Sequence, residues 1–298
     1  MENNGGKRKF TKKNCAPTVK NKTVNQRSCF TPQILINLRD LYNKRYPDDP
    51  IKSSNSNTIW KELNKRLYTC TNEDCWLSEL SEPHIRKKIH DIAFSPKSPS
   101  SWKKNPNEWL TNFDINNVLE QYEEADQTFE FIGPSFIDFD AKDGNSCVDP
   151  EVCNFNLKHY VDEGVEKVGF IFNLDKHNQS GSHWVSFFVN ITDQFVFYFD
   201  SVGTSIPKEI KALSDKIIEQ GKAMNMDFEY HDNKGIAHQY GNNECGMYSL
   251  FFIITLLTNK VNDKPFKDVK SIIGFFKDKR KKRIRDQQVH ALRKVYYN

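Results

Sequence analysis

The chain has 298 residues, a formal net charge of +4 at pH 7, and 37% hydrophobic residues that include 22 phenylalanines. This is enough for one sizeable domain with a packed core and a smaller attachment. The charge is too small for this length to indicate general nucleic-acid binding, which needs a clustered basic face. No stretch approaches the roughly 20 apolar residues that cross a bilayer, so we predict no membrane span.

The N-terminal part is predicted to hold a tail and a helical arm. Residues 1–30 are basic and poor in aliphatic side chains, which predicts a flexible tail. Thr31 followed by Pro32 is typical of a helix start, and apolar residues at helical spacing predict three helices across an arm of residues 31–95. The Pro-, Ser- and Lys-rich stretch 96–107 is interpreted as a linker.

Residues 108–298 are predicted to form a larger α+β domain. The apolar run 168–173 favours a buried strand, and two alternating runs within 183–200 predict a β-hairpin. The apolar run 246–257 predicts a buried helix that follows Cys245 directly.

The seven cysteines do not indicate a disulfide framework, because their number is odd and they are spread over a long chain. The first residues lead into no apolar segment, so we expect no signal peptide and a reducing compartment. Cys70 and Cys75, with two histidines downstream, fit no strong zinc template, and we predict no metal site. Cys147 and Cys153 are interpreted as incidental loop residues.

Cys245 is the candidate nucleophile. A helix N-terminus carries unpaired N–H groups and a partial positive charge, both of which favour a thiolate. A single cysteine in such a place is more often a small packed hydrophobic residue. The interpretation therefore depends on which other groups lie nearby.

His183, Asp200 and Gln239 are the candidate partners. On the hairpin interpretation Val185 lies opposite Asp200, and His183 sits diagonally from Asp200 on the same face, roughly 7–8 Å away at the backbone. A carboxylate there can fix the imidazole tautomer and stabilise the imidazolium. Gln239, six residues before Cys245 in a polar loop, can donate a hydrogen bond to an oxyanion.

These residues form a pattern with a family resemblance. A His-Trp pair at 183–184, an Asp seventeen residues after the histidine, and a Q-x5-C-G motif ending at Gly246 resemble the catalytic pattern of Ulp1-like cysteine proteases. The resemblance spans about residues 108–298. The arm and the WLTNF segment most resemble the maturation proteases of large cytoplasmic DNA viruses, namely African swine fever virus, poxviruses and giant-virus relatives. The swine fever virus member departs from this chain by carrying Asn where this chain has Asp200.

The resemblance implies a papain-like α+β fold with a central mixed or antiparallel sheet, and it implies roles for the four residues. Cys245 is expected to attack the peptide carbonyl, His183 to carry the proton, Asp200 to orient His183, and Gln239 to support the oxyanion. This chemistry requires neither a cofactor nor a metal.

The resemblance also implies protein substrates that carry small residues before the cut, Gly-Gly or Ala-Gly, because the channel to the sulfur is narrow in this family. Trp109 and Trp184 are candidate walls of that channel, and each is equally compatible with a plain core role. The expected biological role is the processing of viral structural polyproteins during virion assembly, in the virion and the host cytoplasm.

Three alternatives remain open on the sequence alone. One is the removal of SUMO or another ubiquitin-like protein from conjugates, and another is a module that binds Gly-Gly tails without cutting them. The third is nucleic-acid binding or a nuclear signal, with which the basic run 277–285 is compatible, although we favour a solvated helix face for this run.

Overall fold

A computed structural model describes residues 9–144, 146–278 and 283–298 of the chain. The chain divides into two compact units, Met1–Ser98 with Lys294–Asn298, and Pro99–Arg293. The α-helices are α1 (Pro32–Arg45), α2 (Ser56–Arg66), α3 (Glu73–Leu80), α4 (Pro83–Ala93), α5 (Asn112–Ala125), α6 (Pro150–Cys153), α7 (Leu157–Asp162), α8 (Lys208–Ala223), α9 (Cys245–Thr258), α10 (Val269–Lys277), α11 (Asp286–Ala291) and α12 (Arg293–Tyr296). The strands are β1 (Phe129–Phe136), β2 (Lys142–Asp143), β3 (Ser146–Cys147), β4 (Lys167–Asn173), β5 (Trp184–Asn190), β6 (Phe195–Phe199), β7 (Glu229–Asp232), β8 (Lys260–Val261) and β9 (Lys264–Pro265).

The first unit is built around helices α1 to α4. The predicted start of α1 is confirmed, because the hydroxyl oxygen of Thr31 accepts a hydrogen bond from the backbone N–H of Ile34 at 3.4 Å. Helix α3 was not predicted. Its first residue, Glu73, is buried and accepts hydrogen bonds from the Cys29 N–H at 2.7 Å and the Trp60 indole N–H at 2.7 Å. These bonds satisfy a buried carboxylate that would otherwise be costly.

Residues 9–30 differ from the predicted flexible tail. Phe30 is fully buried in the core of the first unit, and Cys15 pairs with Phe94 through an isolated β-bridge. The last residues of the chain also belong to this unit rather than to the predicted domain 108–298, since the Asn298 side-chain amide donates to the Asn14 carbonyl at 2.9 Å. Both differences arise from long-range contacts that no local pattern encodes.

The expectation that the cysteines form no disulfides is wrong. The fold brings three pairs to Cα–Cα separations of 5.1, 5.4 and 6.4 Å, inside the usual disulfide range. The bonded pairs are Cys15–Cys29, Cys70–Cys75 and Cys147–Cys153. Cys70 and Cys75 are therefore bonded to each other rather than available as thiolate ligands, and the seventh cysteine, Cys245, is free.

The second unit contains a five-stranded sheet in the order β1-β4-β5-β6-β7. The two edge pairings are parallel and the two central pairings are antiparallel, so the sheet is mixed. In the β5–β6 hairpin Ser186 pairs with Phe199, which places Val185 opposite Asp200 one step further along. The register predicted from the hairpin turn at Thr192-Asp193 is confirmed.

Helices α8 and α9 cover the two faces of this sheet. Ile210 and Leu213 of α8 pack with Phe187 on one side, whereas Phe252 of α9 stacks on Phe199 on the other, with ring centroids 4.7 Å apart. Burial on both faces explains why the central strands read as nearly continuous apolar runs. Among the described residues, no helix combines the length and the apolar character needed to cross a bilayer. Residues 279–282 of the basic run lie outside the described residues.

Candidate active site

Cys245 is the first residue of α9, one residue earlier than the predicted helix start, and only 2% of its surface is exposed. Its sulfur therefore sits where the first-turn N–H groups of α9 lack helical partners. These groups and the helix dipole stabilise negative charge at the N-terminus. The helix is 14 residues long and almost entirely buried, so it holds this end firmly.

His183 lies immediately before β5 and joins Cys245 to Asp200. Its Nε2 is 2.7 Å from Asp200 Oδ1, which leaves Nδ1 as the ring nitrogen that can face the sulfur. Burial alone would lower the pKa of His183, but hydrogen bonds to Asp200 and Cys245 outweigh burial and raise that pKa to about 9. The imidazolium form of His183 is therefore favoured in this setting.

Asp200 follows the last residue of β6 and is fully buried. Its carboxylate accepts hydrogen bonds from the Val202 N–H at 3.0 Å and the Thr204 N–H at 3.1 Å, and also from the Thr204 hydroxyl. Burial would raise the pKa of Asp200, yet the hydrogen bonds from His183, Thr204 and Val202 prevail and lower it. The side chain is thus held ionised and fixed in direction toward His183.

Gln239 lies in the loop before α9 and is 4% exposed. Its Oε1 accepts a hydrogen bond from the Ser201 hydroxyl at 2.7 Å, and its Nε2 donates to the Gly241 carbonyl at 2.7 Å. The amide is therefore held at both ends. One N–H of Nε2 remains for another acceptor.

Asp286 supports the same loop and is absent from the candidates found by sequence. Its carboxylate accepts hydrogen bonds from the backbone N–H groups of Tyr240 at 3.2 Å and Gly241 at 3.1 Å, and from the Tyr248 hydroxyl at 2.8 Å. It thereby ties the Gln239 loop to α9. No local signal could have indicated this, because Asp286 is 45 residues from Gly241 in the chain. Ser201 was also missed, although it stands next to the predicted Asp200.

Glu244 places a buried carboxylate one residue before the sulfur, where negative charge would oppose a thiolate. The carboxylate accepts hydrogen bonds from Arg293 Nε at 3.2 Å and lies 2.8 Å from His290 Nδ1. The guanidinium of Arg293 also donates to the Glu108 carbonyl at 2.8 Å. Arg293 therefore neutralises the charge of Glu244 and anchors the segment that leads to Trp109.

The two predicted channel residues lie in different environments. Trp184 is 8% exposed, and its indole N–H donates to the Leu110 carbonyl at 3.0 Å. Leu110 in turn packs on Gly246 so closely that a Cβ added there would lie 3.0 Å from Leu110 Cβ. Trp109 is 44% exposed beside this contact. Within the described residues no group of three or more His, Cys, Asp or Glu is arranged to hold a metal ion.

The raised pKa of His183 predicts the alkaline limb of the pH–activity profile. A protonated imidazole is needed to give a proton to the leaving amine, and His183 loses its proton as the pH rises through about 9. We therefore expect kcat/KM to fall only near pH 9, rather than near the 6.5 of an unperturbed histidine. The measurement is kcat/KM for a short peptide across pH 5–10, and a fall centred at or below pH 7 would contradict the assignment.

The chain is similar in sequence and in fold to several known proteins. Residues 163–293 match the Ulp1 protease family, C-terminal catalytic domain. A protein of Acanthamoeba polyphaga mimivirus that is named as a thiol protease is 28% identical over 95% of this chain and 92% of its own length. An African swine fever virus protein named SUMO-1 cysteine protease is 26% identical over 68% of this chain and 81% of its own length. A crystal structure of the African swine fever virus protease superposes with a TM-score of 0.61 at 20% identity, and it covers 96% of this chain and 95% of that one.

The fold and the sequence matches define a cysteine-type peptidase, an enzyme rather than a module that only binds Gly-Gly tails. Residues 163–293 of the chain are similar to the catalytic domain of the Ulp1 protease family, and the similar proteins include viral thiol and cysteine proteases. The family resemblance predicted from the motif is therefore confirmed, as is the α+β fold.

Proposed function

We propose that this enzyme is an endopeptidase in which Cys245 attacks the scissile carbonyl and His183 moves the proton. Asp200 orients His183, and Gln239 supports the oxyanion. The observation that carries this proposal is the 2.7 Å contact between His183 Nε2 and Asp200 Oδ1, combined with the position of Cys245 at the start of α9.

The reaction proceeds through an acyl-thioester. The thiolate of Cys245 forms a C–S bond to the carbonyl carbon, and the negative oxygen is stabilised by the Cys245 backbone N–H and by the spare N–H of Gln239 Nε2. The imidazolium of His183 then gives its proton to the amine as the C–N bond breaks. Water, deprotonated by the same imidazole, hydrolyses the thioester and restores the thiolate.

The preference for small residues before the cut rests on the close packing beside the sulfur. Trp184 is fixed to the Leu110 carbonyl, and Leu110 lies against Gly246, the residue next to the nucleophile. This packing supports a narrow approach with Trp109 and Trp184 as its walls. Gly-Gly and Ala-Gly sequences fit such a passage because they present the least side-chain volume before the scissile bond.

The biological role that we propose is maturation of viral structural polyproteins in the virion and the host cytoplasm. The viral origin of the relatives supports it. Deconjugation of a ubiquitin-like protein is the second candidate, and the name of the African swine fever virus relative, SUMO-1 cysteine protease, favours it. The two roles share the same chemistry and differ in how much of the substrate is recognised.

A comparison of substrates separates the two roles. A maturation protease accepts many precursors and recognises few residues around the cut, whereas a deconjugating enzyme uses remote binding energy from a folded partner to lower the barrier. We expect similar kcat/KM for a Gly-Gly-X peptide, an Ala-Gly-X peptide, and the same sequence with SUMO or ubiquitin fused upstream. The measurement is initial rate against substrate concentration for each of the matched substrates.

Two controls make this comparison decisive. A peptide with Val-Val before the cut has the same length but larger side chains, and we expect it to be refractory. The Cys245→Ala variant reports contaminating proteolysis. A gain of about a hundredfold from the SUMO fusion, worth roughly 2.7 kcal/mol of transition-state binding, would instead establish deconjugation.

A further inference from the structure

The side-chain amide of Gln239 is held by groups from two separate parts of the chain. Besides the hydroxyl that bonds Oε1, Ser201 offers its carbonyl to the backbone N–H groups of His238 and Gln239, both at 2.8 Å. Ser201 and Gln239 are both almost fully buried. Ser201 therefore contacts the proposed oxyanion residue through its backbone and through its side chain.

The orientation of the amide follows from the chemistry of its two neighbours. The Gly241 carbonyl can only accept a hydrogen bond, so the amide nitrogen of Gln239 must face it, at 2.7 Å. The amide oxygen then faces Ser201, whose hydroxyl must donate. One N–H of Gln239 is consumed by Gly241, and the other is the single donor that this side chain can offer to a substrate.

Removing the Ser201 hydroxyl would leave Gln239 Oε1 buried without a donor. A buried acceptor in that state is costly, and the cost is relieved when the group turns toward water. Rotation of the amide moves both of its N–H groups, including the one available to substrate. Stabilisation of the oxyanion by Gln239 would therefore be weakened, although Ser201 itself is not assigned a contact with a reacting atom.

We propose that Ser201 is a positioning residue that aims the Gln239 amide at the oxyanion, an inference that rests on the proposed role of Gln239. Ser201 directly follows Asp200 in the chain. One turn at the end of β6 thus supplies both the carboxylate that orients His183 and the hydroxyl that orients Gln239. Asp200 therefore orients the base His183, and its neighbour Ser201 orients the oxyanion donor Gln239.

A double-mutant cycle tests this inference with a short peptide substrate. We expect Gln239→Ala to lower kcat by about 10²–10³-fold, the usual loss of one oxyanion donor. Ser201→Ala should lower kcat by about tenfold to a hundredfold with KM little changed, because it misplaces that donor. In the Gln239→Ala background, Ser201→Ala should cost almost nothing further, since the group through which it acts is gone.

Two further variants serve as controls for this experiment. Ser214→Ala removes the hydroxyl of another buried serine, which has no hydrogen-bond partner among the described residues, and it should leave kcat unchanged. Ser201→Thr keeps a hydroxyl and should retain most of the kcat. The rate at which iodoacetamide alkylates Cys245 should match the wild type in every variant, which shows that the nucleophile and base remain in place.

The outcomes separate the inference from the function on which it rests. Equal losses from Ser201→Ala in the wild-type and Gln239→Ala backgrounds would overturn the positioning role and leave the oxyanion role intact. A Ser201→Ala variant with wild-type kcat would have the same consequence. Wild-type kcat for Gln239→Ala would instead overturn the oxyanion role of Gln239, and the inference about Ser201 with it.

Discussion

Replacing Cys245 with alanine is expected to abolish peptide cleavage and to leave the fold unchanged. The reaction needs a sulfur nucleophile at the start of α9, and losing the nucleophile of a catalytic triad costs about 10⁶ in kcat. Alanine fits a buried first helical position at little conformational cost. The measurement is kcat on a Gly-Gly-X peptide, with circular dichroism and thermal unfolding to confirm that the variant is folded.

The disulfides provide a matched control for this experiment. The double variant Cys147→Ala/Cys153→Ala removes a bonded pair elsewhere in the same unit and should retain cleavage. Without reductant, iodoacetamide should label Cys245 alone, because the other six cysteines are bonded in pairs. Measurable turnover by Cys245→Ala, or first labelling at another cysteine, would disprove the assignment of the nucleophile.

The elements that hold the proposed catalytic groups were predictable because their signals are local. A turn at Thr192-Asp193 between two strand-forming runs fixes the register of the hairpin, and that register carried the pairing of His183 with Asp200. An apolar run of helical length after a polar loop similarly indicated α9. In both cases the side chains that matter lie within a few residues of the pattern that predicts the element.

The remaining features depend on contacts between distant segments. Strand β1 was missed because Gly133-Pro134 interrupts it, a pair that usually marks a turn but is tolerated at the bulged edge of a sheet. Asp286 reaches the Gln239 loop across 45 residues. The disulfides were not predicted because a reducing compartment was expected, and disulfides rarely persist in one. The pair Cys15–Cys29 becomes apparent only when the first unit is folded.

His183→Ala and Asp200→Asn should both lower activity, but by very different amounts. The alanine variant has no group to take or give the proton, so we expect a loss of about 10⁶ in kcat. The asparagine variant keeps an oxygen toward His183. If that oxygen occupies the Oδ1 position, the amide NH₂ group faces one backbone donor, the Thr204 N–H. In the flipped orientation the NH₂ group would face two donors, the His183 ring and the Val202 N–H. The orientation that still holds the imidazole is therefore preferred, and we expect a loss of no more than about 10⁴.

The pH profile distinguishes this explanation from simple disruption of the site. Loss of the carboxylate charge removes one of the interactions that raise the pKa of His183, so the alkaline limb of Asp200→Asn should move from near 9 to lower pH. Asp138→Asn is the matched control, because Asp138 forms a second carboxylate–imidazole contact, 2.9 Å from His177 Nδ1, and plays no part in the proposed chemistry. An Asp200→Asn variant as inactive as His183→Ala would show that the charge of Asp200, and not the orientation of the ring, is what the reaction requires.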